Sequence, residues 1–467
     1  MMDRDRGVPT IAEAARQIKA GMLSPVTLVK TCLSRIENYE PTIQAFHAVF
    51  ADEAIAAAEI AENEIESGNY RGPLHGIPIG LKDVFYLKDY KTTSNSRVMQ
   101  NFQADEDAAV VTRLRDAGAI FMGQLNTYEF TFGGRPTFDA LYPPARNPWD
   151  ITRSTGGSSS GSGAAVAAGF CLGALGSDAG GSIRTPSAFC GVAGMKATFG
   201  RVSAFGDLPL SFSFDCVGPM TWTSEDSAIM LQVLAGYDER DPSAVETTVP
   251  DYVAPLNDGV RGLKVGMLRH FYTKDFEAPP EITTAIDGVG NTLRDLGATV
   301  GEINVSPLID WHAVGRIILP AEAYAIHEEN LQNRWAEFGP LARNRMMLGS
   351  LVRAVDYIQA QRRRTELLEE IETALAEYDV IITTAMLTPQ PPLDDKAPFP
   401  FLDVPMIAVP FNLTLHPVQT VRAGFFDDGM PIGAQIVGRN WDEATVLKVA
   451  HSFEKNAGQL KRYPDLK

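Results

Sequence analysis

Two Gly-Gly-Ser turns, ending at Ser158 and Ser182, fall within one stretch, STGGSSSGSGAAVAAGFCLGALGSDAGGSIRTPSAFCG, Ser154 to Gly191. A lysine of equal chemical interest precedes them: Lys82, inside the apolar run GIPIGLKDVF. A serine hydroxyl is a poor nucleophile until a base takes its proton as it attacks. A lysine can be that base only when neutral, which requires desolvation or nearby positive charge. Lys82 lies among Ile77, Ile79, Leu81, Val84 and Phe85, so its burial is credible. A hydroxyl both donates and accepts, so one serine can pass a proton between a second serine and an amine. Glycine has a separate use beside such a serine, because backbone N–H groups converge on an oxyanion only where no Cβ blocks the tight turn.

Other readings of the stretch explain less. As a flexible linker it fails, since AAVAAGFCLGAL within it is apolar and would bury. As a phosphate cradle it fails too: no GK[ST] closes a P-loop, and GSGAAV carries valine where a dinucleotide fingerprint needs a small residue. Gly157 to Gly161 formally matches GxSxG, the nucleophile elbow of α/β-hydrolases, with Ser159 as its serine and His416 or His451 as later partners. That pattern arises by chance in any Gly-Ser tract and leaves SDAGGSIR without a purpose.

Lys82, then GGSSSG with Ser158, then GSDAGGSIR with Ser182, in this order, resemble the amidase signature family. The likeness continues through QLNTYEF (Gln124–Phe130), ARNPWD (Ala145–Asp150), PSAFCGVAGMKATFGRVS (Pro186–Ser203), FDCVGPMT (Phe214–Thr221) and GMPIGAQIVG (Gly429–Gly438). The resemblance implies hydrolysis of a carboxylic amide to acid and amine or ammonia through an acyl-enzyme, without cofactor or metal. By position it makes Ser182 the nucleophile, Ser158 the bridging serine and Lys82 the base. It places the oxyanion hole at the N–H groups of Ala179, Gly180, Gly181 and Ser182. Asp178 and Arg184 match positions that brace the turn as an ion pair, and Ser159 and Thr155 are expected to hydrogen-bond around the site as scaffold.

The family includes stand-alone amidases and the glutaminase subunit of a tRNA-dependent amidotransferase. The latter place an Asp just before a P-x-N-L-A-G-L-P stretch, and an arginine that grips glutamine's carboxylate. Here the text is PMIAVPFNLTLHP, with Pro405 aligned to the Asp, and Arg364 is the candidate arginine. These departures favour a stand-alone amidase acting on a small-molecule amide. The glutaminase subunit is the alternative, followed by an α/β-hydrolase-type esterase and a non-catalytic binding protein of the same fold.

The elements that must hold these residues alternate between two periods. TIAE at Thr10 reads as a capping box opening a helix to about Lys19, and Ser24-Pro25 as the start of another. A third, alanine-rich helix is expected over residues 43–67. Strand patterns follow at Ile77–Phe85, Gly262–Arg269, Asp379–Met386 and Pro431–Gly438, with helices between them. This predicts an α/β protein with a large mixed, mostly parallel β-sheet covered on both faces by helices, the amidase signature fold. One domain over 1–467 is expected: a helical segment 1–70, a catalytic core 71–235 and a C-terminal half 256–467. The polar, Pro-rich residues 235–255 join the halves. Residues 270–364 match the family pattern least and are expected to set specificity, although Trp311, Tyr324, Phe338 and Met346 there read as helical core.

The bulk composition, 45% hydrophobic and 21% charged, is that of a globular protein. A net charge of −17 repels phosphate, so no nucleic-acid partner and no membrane association are expected. The four cysteines (Cys32, Cys171, Cys190, Cys216) are widely spaced, as buried thiols of a reducing compartment are. MMDRDRGVPT has no apolar leader, so a cytoplasmic location is expected, with a homodimer as the assembly.

Overall fold

The computed structural model describes residues 7–132, 139–394 and 404–466; part of the opening decapeptide lies outside them. Thirteen strands are described: β1 (Phe46–Val49), β2 (Pro78–Lys82), β3 (Ile120–Leu125), β4 (Arg146–Asn147), β5 (Asp150–Ser154), β6 (Gly173–Asp178) and β7 (Ala193–Lys196) come first. After them come β8 (Cys216–Thr221), β9 (Lys264–Met267), β10 (Thr299–Glu302), β11 (Val380–Thr384), β12 (Val418–Phe425) and β13 (Pro431–Gly438).

Eleven of them form one sheet in the order β1-β3-β2-β6-β8-β7-β12-β13-β11-β9-β10, and β4 and β5 form a separate ribbon. The expected large mixed sheet is present. Its parallel pairs lie on the two flanks, β3–β2–β6 on one and β10–β9–β11 on the other. The centre, from β6 through β13, runs antiparallel. Connection length explains this for β12 and β13, which only the short turn 426–430 separates; such a turn joins antiparallel strands alone. Every residue of β2, β6, β7, β8, β11 and β13 is buried, which requires cover on both faces. The chain's two halves share this sheet through the pairing of β7 with β12.

The first helix, Ile11–Lys19, carries the expected capping box between Thr10 and Glu13. Pro25–Ile43 starts on the Ser24 cap with proline in its first turn. The third helix is shorter than its composition suggested, Ala51–Glu66, because residues 46–49 leave the helical pattern to pair with β3 at the sheet edge. Tertiary pairing here overrides local propensity. Among the described residues no helix is long and apolar enough to cross a membrane.

Candidate active site

Lys82 is the last residue of β2, and Asp178 the last of β6, its parallel neighbour. The C-terminal ends of parallel strands are where α/β sheets open into crevices. The two Gly-Gly-Ser turns lie at this edge. One leads into the helix Ser160–Ala168 and the other into the helix Arg184–Cys190. The Gly157–Ser158 peptide is cis. Ser159 N–H donates to the Ser182 carbonyl at 3.2 Å, tying the turns together.

Lys82 is fully buried, and its Nζ donates to Ser158 Oγ at 2.8 Å and to Ser177 Oγ at 2.9 Å. Burial pushes the amine down to about 7, against the opposing pull of Asp207, Asp178 and Asp215. Burial also pushes the Asp207 carboxyl well above its usual range and that of Asp215 up to about 7, which weakens their hold on an ammonium. A neutral amine within hydrogen-bond reach of a hydroxyl is a competent base.

Asp178 organises the second turn. Its Oδ1 accepts from Gly181 N–H at 2.8 Å, and its Oδ2 from Ile183 N–H at 3.1 Å. Arg184 meets the same carboxylate with Nε and Nη2, both at 3.0 Å, and all of this is buried. Burial alone would raise Asp178, but Arg184 and Asn412 hold it well below the carboxylate range. The Gly181 N–H is thereby engaged with Asp178, so of the four donors expected at the oxyanion, this one is turned to bracing. Gly181 has φ +110°, and a Cβ there would stand 2.6 Å from that of Ala408.

Three residues of the site were not singled out from the sequence. Asn412 Nδ2 donates to Asp178 Oδ1 at 2.8 Å, and Gln435 Oε1 accepts from Arg184 Nη1 at 2.8 Å. Ser177, the second partner of Lys82, sits mid-sheet on a wholly buried strand. A hydroxyl among apolar neighbours beside the GGS turn was the available signal.

A cavity of about 420 Å³ opens over the turns and is lined by Gly157, Ser158, Gly180 and Ser182. Its wider walls are apolar, with Phe132, Phe189, Leu210, Leu319, Met386 and Met406. Trp311, Tyr324, Phe338 and Met346 are not among its described lining residues; Trp311 and Met346 are buried helical residues as expected, Tyr324 is half-buried on its helix, and Phe338 is buried in extended backbone between two helices. Arg364 donates to the Leu413 carbonyl at 2.7 Å and stacks over Phe214, away from the described lining, whereas Pro405 stands in the wall.

The elbow reading finds no assembly. Ser159 is buried and its Oγ donates to the Ser177 carbonyl. His416 contacts Glu372, and burial pushes it down to about 3. No histidine is among the cavity's described lining residues. Thr155 bonds the Gly156 carbonyl, and Cys190 is a buried thiol that burial pushes up.

The family model described as Amidase matches residues 27–447. The chain belongs to the amidase family. It is 36% identical, over 98% of its own length and 98% of the relative's, to a subunit of the glutamyl-tRNA(Gln) amidotransferase of Chloroflexus aggregans. Among solved structures it is similar to a chain from a vestigial protein complex that reveals the evolutionary origins of an s-triazine catabolic enzyme, with TM-score 0.89 and 30% identity over 98% of this chain and 100% of that one. It is also similar to the peptide amidase of Stenotrophomonas maltophilia, with TM-score 0.85 and 29% identity over 98% of each chain.

The expected family, that of amidase-type hydrolases, is the one the chain belongs to. The expectation about partners is corrected. A small-molecule substrate with no nucleic acid was inferred from net charge and from Pro405. The curated relative, similar along its whole length, is named for glutamyl-tRNA(Gln) and is one subunit of an enzyme. Net charge is summed over the whole surface, so it does not exclude a nucleic acid held locally or by another subunit.

Proposed function

We propose that the protein cleaves a carboxylic amide through an acyl-enzyme on Ser182, as the amide-cleaving subunit of an amidotransferase-type assembly. The observation that carries the chemistry is the buried Lys82 amine at 2.8 Å from Ser158 Oγ, beside Ser182 in one cavity. Ser182 Oγ attacks the carbonyl carbon and passes its proton to Ser158, which passes its own to Lys82. The tetrahedral oxyanion rests on the N–H groups of Ala179, Gly180 and Ser182. As the C–N bond breaks, Lys82 returns the proton through Ser158 to the leaving nitrogen. Water then enters by the same relay, and the acid leaves. The whole-length likeness to glutamyl-tRNA(Gln) amidotransferase subunits supports the glutamine amide as the source of ammonia.

One observation favours a second reading, an amide other than glutamine. Pro405 stands in the cavity wall where the glutaminases' aspartate aligns, and none of the described lining residues is Asp or Glu. Ammonia release from L-glutamine and from amides without an α-ammonium, with Ser182→Ala as the blank, decides between them. Release from glutamine alone supports the amidotransferase reading. Release from the other amides alone supports the second, and no release with any amide rejects both.

A further inference from the structure

Tyr128 is among the residues that line the cavity, and the proposed relay does not use it. It follows β3 and precedes the short turn Glu129–Thr131. Its N–H donates to the Ser158 carbonyl at 3.1 Å, and the Asn126 carbonyl accepts from Gly161 N–H at 2.8 Å. Ser160 Oγ reaches the same Asn126 carbonyl at 3.3 Å. The strap 126–128 is therefore pinned to the turn that carries Ser158. The ring lies against Gly157, where a Cβ would run into Tyr128 Cδ2, Cε2 and Cζ. Those atoms form the outer edge of the ring, so the hydroxyl end of Tyr128 stands beside the residue that precedes Ser158.

The phenol is lightly bonded for a buried group. Its oxygen is 3.4 Å from Ser154 Oγ, which already accepts the Gly156 N–H at 3.0 Å. Whichever hydroxyl donates, the phenol oxygen keeps accepting capacity beyond that bond. Burial pushes the phenol above its usual range, so it stays a neutral hydroxyl at working pH. Apolar lining residues, Phe132, Phe189 and Leu210 among them, offer a buried N–H no acceptor, and an N–H left unpaired is costly.

In the proposed reaction Ser158 gives a proton to the leaving nitrogen, so that nitrogen must come within hydrogen-bond reach of Ser158 Oγ. The leaving group then departs on the side of the cavity that Tyr128 bounds. A primary amide carries hydrogen at both substituent positions of its nitrogen, and one of them fits against the phenol oxygen. An N-alkyl group would need the space the ring fills. We infer that Tyr128 selects the leaving group: its hydroxyl accepts one N–H of a primary carboxamide, and its ring excludes N-substituted amides. This rests on Ser182 as the attacking residue with Ser158 as its relay, and it makes ammonia the product whichever acyl group is bound.

The test compares L-glutamine, hexanamide and benzamide with their N-methyl counterparts, reading ammonia or methylamine release. The primary amide of any cleaved pair is expected to exceed its N-methyl partner by about a hundredfold in kcat/KM. Tyr128→Phe keeps the ring and removes the acceptor, so kcat/KM for primary amides falls about tenfold while N-methylamides stay excluded. Tyr128→Ala opens the space, so N-methylamides are cleaved faster than by the unaltered protein while primary amides are cleaved more slowly. Tyr128→Leu serves the same comparison if the alanine variant does not fold. A merely structural role would lower both rates together. Such a parallel fall, comparable rates on both amides by the unaltered protein, or a primary-amide rate unchanged in Tyr128→Phe overturns the inference. If no amide is cleaved, the comparison is made on phosphonylation of Ser182, with fluoride or 4-nitrophenolate as the leaving group of one alkylphosphonate. A 4-nitrophenyl ester accelerated relative to the fluoride in Tyr128→Ala upholds the inference, and an unchanged ratio overturns it. Absence of any adduct on Ser182 refutes the nucleophile instead, and the inference falls with it.

Discussion

At the scale of single residues, the proposed chemistry depends on the protonation of one amine. Lys82 has no solvent to stabilise an ammonium, and its bonded neighbours are the hydroxyls of Ser158 and Ser177 rather than carboxylates. A base that must be neutral, with its pKa near 7, gives activity that is lost as pH falls through 7. The expected profile of log kcat/KM rises with unit slope below about 7 and levels above it. A profile flat from about pH 5 to 9 would show that no such base is titrating. Ser158→Ala interrupts the proposed relay while leaving Lys82 its bond to Ser177, so kcat should fall by about a hundredfold or more with little change in KM. Steady-state kinetics on any cleaved amide reads this directly.

At the scale of elements, the second turn is rigid because four groups converge on Asp178. Gly181 N–H, Ile183 N–H, Arg184 and Asn412 all donate to it. Asp178→Asn leaves Arg184 buried beside a neutral group, and removing one partner of a buried pair costs about 3–5 kcal/mol. Thermal unfolding should show a clear fall in Tm together with loss of activity. Gly181→Ala meets both a positive φ and the Ala408 side chain, so it should distort the turn even where the fold survives. The glycines, the two serines and Lys82 were legible in the sequence because each is an unusual residue for its local surroundings. Asn412 and Gln435 were not. They reach Arg184 across 228 and 251 residues, and nothing local marks a polar side chain that acts over such a distance. Residues 46–49 were missed for a related reason: their strand is imposed by β3, not by their own pattern.

At the scale of the molecule, the strands at Ile77, Gly262, Asp379 and Pro431 were readable, and with them the α/β class. Their order in the sheet was not, because it depends on pairings such as β7 with β12. That pairing joins sequence halves linked by an exposed stretch at Val245–Thr248. A glutamate-specific nick at Glu246 should therefore leave two fragments that co-elute under native conditions and separate only in denaturant. Fragments that part without denaturant would contradict a shared sheet. Composition misled at this scale, since a net charge carries no information about which subunit or patch meets a partner. Residues 270–364, expected to set specificity, contribute Arg345 and Leu319 to the cavity, although Trp311 and Phe338 from the same region turn inward to the core.

The central claim is tested most directly by treating the protein with a fluorophosphonate and locating the adduct by peptide mass spectrometry. A single phosphonylated residue at Ser182 is expected, absent in Ser182→Ala and much slower to form in Lys82→Ala. An adduct on Ser159, or labelling of Ser182 at an unchanged rate without Lys82, would contradict it.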